Sequence, residues 1–249
     1  NKNFKMILDR QPISYSNYSS VVLEHSSEVL RPDVDKVQNW ILKGSSIILN
    51  EIEKLTNNLQ DTVNDLQELT NGKCQGNLYF SMQSRQAFGP HCDDHDVFAF
   101  HFEGEKIWNI YENIEKNPIN HPMFKYSAEE REKKAGKIID QVTLQPGDLL
   151  YLPRGQYHDA LASKNGAIHI AFGLTYFKPI DLLSLLWEKF IVNEYMRQDI
   201  EKNITNENLK NNLKKMSLEI SSIINDEQNI NLASQCIKNW PYNFKNYSL

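Results

Sequence analysis

Between residues 75 and 177 successive short runs place apolar side chains at every second position, and that period constrains the fold more than any other feature of the chain. A period of two puts alternate side chains on opposite faces of a β-strand. Residues 77–81 and 96–102 read as strands. In the second, Phe98, Phe100 and Phe102 fall on one face, and Val97, Ala99 and His101 on the other. The run Glu103-Gly104-Glu105-Lys106 predicts a tight turn, with Gly104 as the residue able to take positive φ. Residues 107–111 then predict the returning partner strand. Such a hairpin sets His101 opposite Trp108 and aims Lys106 along the face of the odd-numbered residues before it. After a polar excursion over 112–137, helical at 128–134, strands resume at 137–145, 148–152, 159–162 and 167–176. Short strands separated by turn signals imply a mainly β fold, a double-stranded barrel or sandwich.

The flanks are different. Residues 5–8 and 20–24 predict short strands, 33–41 a short helix and 46–49 a buried strand. Ile52, Leu55, Leu59, Val63, Leu66 and Leu69 mark one face of a helix over 51–70, ended by Asn71-Gly72, both tolerant of the left-handed conformation. From Pro179 the chain turns helical. Leu182, Leu183, Leu185, Leu186, Phe190 and Ile191 form one apolar face; Leu209, Leu213, Met216, Ile220, Ile223 and Ile224 form another. Two units are expected: a β core with its N-terminal elements over 1–177, and a helical region over 178–249 serving as a dimerisation or cap module.

A chain of 249 residues with 40% hydrophobic content supports one sizeable core plus a smaller appendage. A net charge of −5 with interspersed signs argues against direct contact with nucleic acid. Cys74, Cys92 and Cys236 form no close pair, which argues against a disulfide framework or a cysteine zinc site. No apolar run reaches membrane-spanning length and no signal-like region opens the chain, so the expected location is the cytoplasm.

Chemistry concentrates in His91-Cys92-Asp93 and in His158, sixty-seven residues after His91. On an extended segment His91 and Asp93 point the same way. Two histidines and one carboxylate are the ligand set of a facial iron(II) site, which keeps positions open for a co-substrate and oxygen. Singly, each of these residues is an ordinary strand or loop residue; together they favour a metal, because a buried carboxylate beside imidazoles calls for a cation. His95 shares their parity and reads as a rim residue. Cys92 points away as a small packed side chain. Asp159 faces opposite to His158, either supporting the site from behind or exposed to solvent. A co-substrate with two carboxylates, chelating the metal at one end, needs a cation at the other, and an inward Lys106 fits that task. Asn77 and Tyr79 share a face and can hydrogen bond to a carboxylate or an amide. Trp108 reads as core, and His101 and His169 as structural histidines, although His169 could line the cavity.

The segments Asn77-Leu78-Tyr79, Gly89-Pro90-His91-Cys92-Asp93, Glu103-Gly104-Glu105-Lys106-Ile107-Trp108 and Gln145-Pro146-Gly147-Asp148, followed by Arg154-Gly155-Gln156-Tyr157-His158, resemble in order those of JmjC-type cupins of the ribosomal oxygenase group. The resemblance implies a double-stranded β-helix (jelly roll) with a C-terminal helical region. It also implies a dioxygenase that uses iron(II), 2-oxoglutarate and O2 to hydroxylate an amino-acid side chain of a protein or peptide, a ribosomal protein being one candidate. On this pattern His91, Asp93 and His158 fall on the catalytic metal-ligand positions. Lys106 falls where the far carboxylate of 2-oxoglutarate binds, and Asn77 and Tyr79 on co-substrate or substrate pocket positions. A homodimer is an option the family layout offers. Two alternatives stay open: an N-methyl demethylase, and a metal-binding cupin without catalysis.

Overall fold

The computed structural model describes residues 3–82 and 86–240; residues 1–2 and 241–249 of the two expected units lie outside them. The chain divides into two compact units, Asn1–Thr175 and Tyr176–Leu249.

The first unit is built on an eight-stranded sheet. Its strands are β1 (Phe4–Leu8), β2 (Gln11–Pro12), β5 (Ser46–Asn50), β6 (Lys73–Ser81), β7 (Asp96–Ile114), β8 (Ile138–Leu144), β9 (Leu149–Leu152) and β10 (Gln156–Thr175). They run in the order β2-β1-β5-β6-β10-β7-β8, and β9 also pairs with β7. A separate hairpin joins β3 (Ser19–Glu24) to β4 (Ser27–Pro32). Helix α1 (Val34–Leu42) starts at Asp33, whose carboxylate accepts from the Lys36 amide at 3.1 Å. Helix α2 (Asn57–Thr70) starts at Thr56 and ends at Asn71 with φ +55°. Helix α3 (Ala128–Ala135) opens with a reciprocal Ser127–Glu130 capping box. This is the mainly β core with flanking helices that the alternation predicts.

The predicted hairpin at 103–106 is not formed. β7 instead runs on as one strand through Asp96–Ile114, with β10 alongside it. Gly104 does take positive φ (+72°), but it serves a kink rather than a reversal. Opposite it, β10 slips register between Ala162 and Ala167. Before the kink Val97, Ala99 and His101 are buried; directly after it Lys106 and Trp108 are, until a second irregularity at Ile110 and Tyr111 brings Tyr111 inward. An irregularity of this kind reverses the alternation. Lys106 therefore faces inward as predicted, but through a parity change within one strand. His101 and Trp108 lie on the same strand rather than opposite each other. The strands predicted at 159–162 and 167–176 are likewise one strand, β10, and His158 lies inside it.

The helix predicted over 51–70 is broken. Glu51 is left-handed at φ +58°, a short 3-10 turn spans Ile52–Lys54, and α2 begins only after Thr56. Ile52 is buried, whereas Leu55 and Leu69 of the predicted apolar face are exposed. Leu59, Val63 and Leu66 pack with Ile52, Cys74, Ile170 and Phe172 on one face of the sheet, where Phe98 and Phe100 join them. Phe102 is exposed. On the other face Val97, Ala99, Trp108, Leu144 and Leu152 form a second core.

In the second unit, α4 (Pro179–Leu185), α5 (Trp187–Val192), α6 (Asn206–Asn225) and α7 (Glu227–Lys238) follow one another. An apolar cavity of about 430 Å³ lies between Leu183, Trp187, Phe190, Met216 and Ile220. Among the described residues no helix is long and apolar enough to cross a membrane.

Candidate metal centre and its pocket

His91 precedes β7 and meets β10 through an isolated bridge: its amide donates to the His158 carbonyl at 3.0 Å, and the His158 amide donates back at 2.8 Å. The Gly155 amide donates to the Asp93 carbonyl at 3.0 Å, and the Arg154 amide to the Asp96 carboxylate at 2.7 Å. Two distant segments are thus held together by backbone hydrogen bonds, and their side chains converge. One ligand atom from each of His91, Asp93 and His158 lies within 4.8 Å of the others. His158 Nε2 is 3.6 Å from Asp93 Oδ2, and the two imidazole centroids are 4.4 Å apart.

The imidazole orientations are fixed from behind. His91 Nδ1 is 2.9 Å from the Gly89 carbonyl, and His158 Nδ1 is 2.9 Å from the Gln156 carbonyl. A carbonyl can only accept, so each Nδ1 carries a proton, which leaves Nε2 as the nitrogen that can ligate. That is the tautomer a metal ligand needs. Burial, together with the neighbouring His91, brings His158 down to about 4, so it is neutral at physiological pH. Burial pushes the Asp93 carboxyl up, but His91, His158 and His95 outweigh it and hold the group below its ordinary value.

The residues around the triad take distinct places. His95 pairs with Asp94 at 2.7 Å and packs against Gly173 rather than joining the cluster. Cys92 packs with Tyr111, Ala135 and Tyr157. Asp159 is buried, accepting from Asn109 Nδ2 at 2.8 Å and from the Tyr111 hydroxyl at 2.6 Å, so its solvent-exposed alternative does not hold. Trp108 belongs to the core and also lies beside the His158 ring, centroids 5.8 Å apart. His101 is fully buried with Nε2 3.0 Å from the Gly104 carbonyl.

Deeper in the same unit sits Lys106, 6% exposed, with Nζ 3.3 Å from Ser81 Oγ and 3.4 Å from His169 Nδ1. Among the described residues no carboxylate pairs with it. Burial lowers it to about 7, and no neighbouring carboxylate among the described residues offsets that. Tyr79 stacks on His169 at 4.8 Å and 9°, and burial pushes its phenol up. Asn77 Oδ1 is buried without a hydrogen-bond partner among the described residues. Ser81 was not singled out from sequence, although it shares the parity of Asn77 and Tyr79 on β6 and could have been found that way. A cavity of about 410 Å³ adjoins the His91 ring, walled by Phe88, Phe124, Tyr126 and Arg131. The last three come from the polar excursion, where sequence shows no period to mark them as site residues.

Residues 49–182, more than half the chain, match the JmjC domain family. The bifunctional lysine-specific demethylase and histidyl-hydroxylase NO66 of Dictyostelium discoideum is 38% identical over 96 residues, 38% of this chain and 18% of that protein. The protein of the same name from Drosophila erecta is 32% identical over 184 residues, 69% of this chain and 27% of that protein. The chain therefore spans under a third of the length of these curated relatives. Among solved structures, the Escherichia coli ribosomal oxygenase YcfD in complex with cobalt and 2-oxoglutarate superposes with a TM-score of 0.60. Its identity is 15%, and the match covers 98% of this chain and 62% of that one, a likeness of fold.

Proposed function

The chain belongs to the JmjC domain family, and from that premise we propose that it is an iron(II)- and 2-oxoglutarate-dependent oxygenase that hydroxylates a C–H bond on an amino-acid side chain of a protein or peptide. One juxtaposition carries the reading: a two-histidine, one-carboxylate cluster with both Nδ1 atoms tied to backbone carbonyls, in the same β unit as a buried lysine with no carboxylate partner among the described residues.

The residues fit the groups they would hold. Nitrogen and oxygen donors from three side chains suit a facial iron(II) site with open positions. A dicarboxylate supplies the anion that Lys106 lacks. When bound, iron(II) with 2-oxoglutarate and dioxygen supplies oxidative decarboxylation of the keto acid and transfer of one oxygen atom to a C–H bond. His91, Asp93 and His158 hold the metal, and the Gly89 and Gln156 carbonyls keep the two imidazoles in the ligating tautomer. Lys106 binds the far carboxylate; Tyr79 closes the pocket beside it, and the unpartnered Asn77 amide oxygen faces co-substrate or substrate. The Val97–Trp108 core keeps water from this end of the site. The cavity against His91 is the place for the substrate side chain, with Phe88, Phe124, Tyr126 and Arg131 choosing it.

The relatives' names carry two activities. Histidyl hydroxylation, part of these names, is the reading we favour, with a ribosomal protein as the proposed substrate; lysine demethylation is the second, because it is part of the same names. Mass spectrometry of candidate ribosomal proteins after reaction with iron(II), 2-oxoglutarate and oxygen separates them. A stable gain of one oxygen supports hydroxylation, whereas loss of a methyl group with formaldehyde release supports demethylation. A metal-binding cupin without catalysis would consume no 2-oxoglutarate. The residue 178–249 region is proposed as a dimerisation or cap module, tested by sedimentation of the full chain. A cytoplasmic location fits the three free cysteines.

A further inference from the structure

We propose that His169 is a positioning residue for the dicarboxylate: its Nδ1 accepts from Lys106 and, with Ser81, aims the ammonium at the far carboxylate. This rests on the oxygenase reading above and assigns a role to a residue that reading does not use.

His169 stands on β10 in register with Tyr79 on β6 and His101 on β7. The three rings form a ladder across adjacent strands. Tyr79 lies 4.8 Å from the His169 centroid at 9°, and His101 lies 6.5 Å away at 12°. The Trp108 ring meets His169 at 5.4 Å and 83°. Held between near-parallel rings, with a third ring edge-on, the imidazole has one ring plane available. In it Nδ1 lies 3.4 Å from Lys106 Nζ.

Lysine has three N–H donors and no acceptor. Toward the charged ammonium His169 Nδ1 therefore presents its lone pair, which makes the imidazole neutral with its proton on Nε2. Burial first, then Lys106 and His101, hold His169 well below its ordinary value and favour that neutral form. Ser81 Oγ, 3.3 Å from Nζ, accepts a second N–H. One ammonium N–H and the Ser81 O–H are left over. Two buried donors side by side suit the two oxygens of a carboxylate. Without His169 the four-carbon stem of Lys106 would have rotamers that point elsewhere, and the ammonium would have to be ordered when the co-substrate binds. A merely structural histidine would need its ring but not the Nδ1 lone pair, and substitutions can separate the two.

His169→Phe keeps a flat ring in the ladder and removes the acceptor. His169→Asn loses the ring but places an amide oxygen near the Nδ1 position. Titrate 2-oxoglutarate into manganese(II)-loaded full-length protein by calorimetry, after measuring manganese affinity for each variant. H169F is expected to bind 2-oxoglutarate about tenfold more weakly than wild type with manganese affinity unchanged, the loss of one charge-assisted hydrogen bond. H169N is expected to recover most of that loss. In metal-free wild type, long-range proton–nitrogen correlation should show His169 with an unprotonated Nδ1 and a protonated Nε2, a readout needing neither variant nor co-substrate. The proposal is overturned if H169F binds like wild type while Lys106→Met does not, if H169N binds as weakly as H169F, or if Nδ1 carries the proton. If manganese-loaded wild type takes up no 2-oxoglutarate at all, the oxygenase reading fails and this assignment falls with it.

Discussion

Lys106→Met is expected to make the protein more stable and unable to hold its co-substrate. The substitution removes the ammonium and keeps an unbranched stem of similar length. Burial holds Lys106 at about 7 against an ordinary 10.5. At about 1.36 kcal/mol for each tenfold change in acidity, the charged form weakens the unliganded fold by at most roughly 5 kcal/mol. Side-chain relaxation and water entry reduce that penalty, and two hydrogen bonds are lost with the lysine, so the expected net gain is about 2 kcal/mol. The sign follows from proton binding. Between pH 7 and 10.5 the unfolded chain holds a proton that the folded chain has given up, so stability rises with pH over that window. The penalty is complete below pH 7 and fades as pH climbs, and so must the advantage of the Met variant. Urea denaturation of metal-free wild type and K106M at several pH values measures it, with 2-oxoglutarate calorimetry on the manganese-loaded proteins alongside. A K106M protein less stable than wild type in neutral buffer, or an advantage that does not shrink with rising pH, would refute the reasoning.

Three further outcomes are expected. Asp93→Ala should weaken manganese binding by at least a hundredfold, read by calorimetry, while circular dichroism shows the β core intact; unchanged affinity would remove Asp93 from the ligand set. Because an unliganded Lys106 is half deprotonated near 7, 2-oxoglutarate binding should take up a proton above that pH. Its affinity should then fall by up to about tenfold per pH step; a flat profile from neutral to mildly alkaline pH would contradict this. Gly104→Ala should destabilise by about 2–4 kcal/mol, since a Cβ there would sit 2.0 Å from the Gly166 carbonyl oxygen at φ +72°. Urea unfolding would show it, and a cost under about 0.5 kcal/mol would mean that the kink is not fixed by this glycine.

Most of the β core was legible because alternation is a local signal, and the triad because its residue types and spacing are chemically narrow. What sequence misjudged were places where one residue's backbone decides the path. Glu103-Gly104-Glu105-Lys106 has hairpin chemistry, yet the close approach of Gly104 to Gly166 across the β7–β10 ladder turns the same positive φ into a kink. The inward direction of Lys106 then depends on a parity reversal that only the paired strand reveals. Likewise Ile52 and Leu59 fit one helical face in sequence, but left-handed Glu51 and the capping hydroxyl of Thr56 split the segment into two elements. The Lys106–His169 contact joins strands 63 positions apart, a distance no local pattern encodes. Ser81 differs, since its parity with Asn77 and Tyr79 was there to be read.

Oxidative decarboxylation of 2-oxoglutarate at a centre held by His91, Asp93 and His158 leaves its mark in the oxygen atoms of succinate. Isotopically labelled dioxygen tests it most directly, with wild type, iron(II), 2-oxoglutarate and candidate ribosomal-protein peptides in one vessel. The expected product is succinate carrying one labelled oxygen atom, formed only with iron(II) present and absent from the Asp93→Ala reaction. Unlabelled succinate, or labelled succinate that forms equally well without iron or without the Asp93 carboxylate, would contradict it.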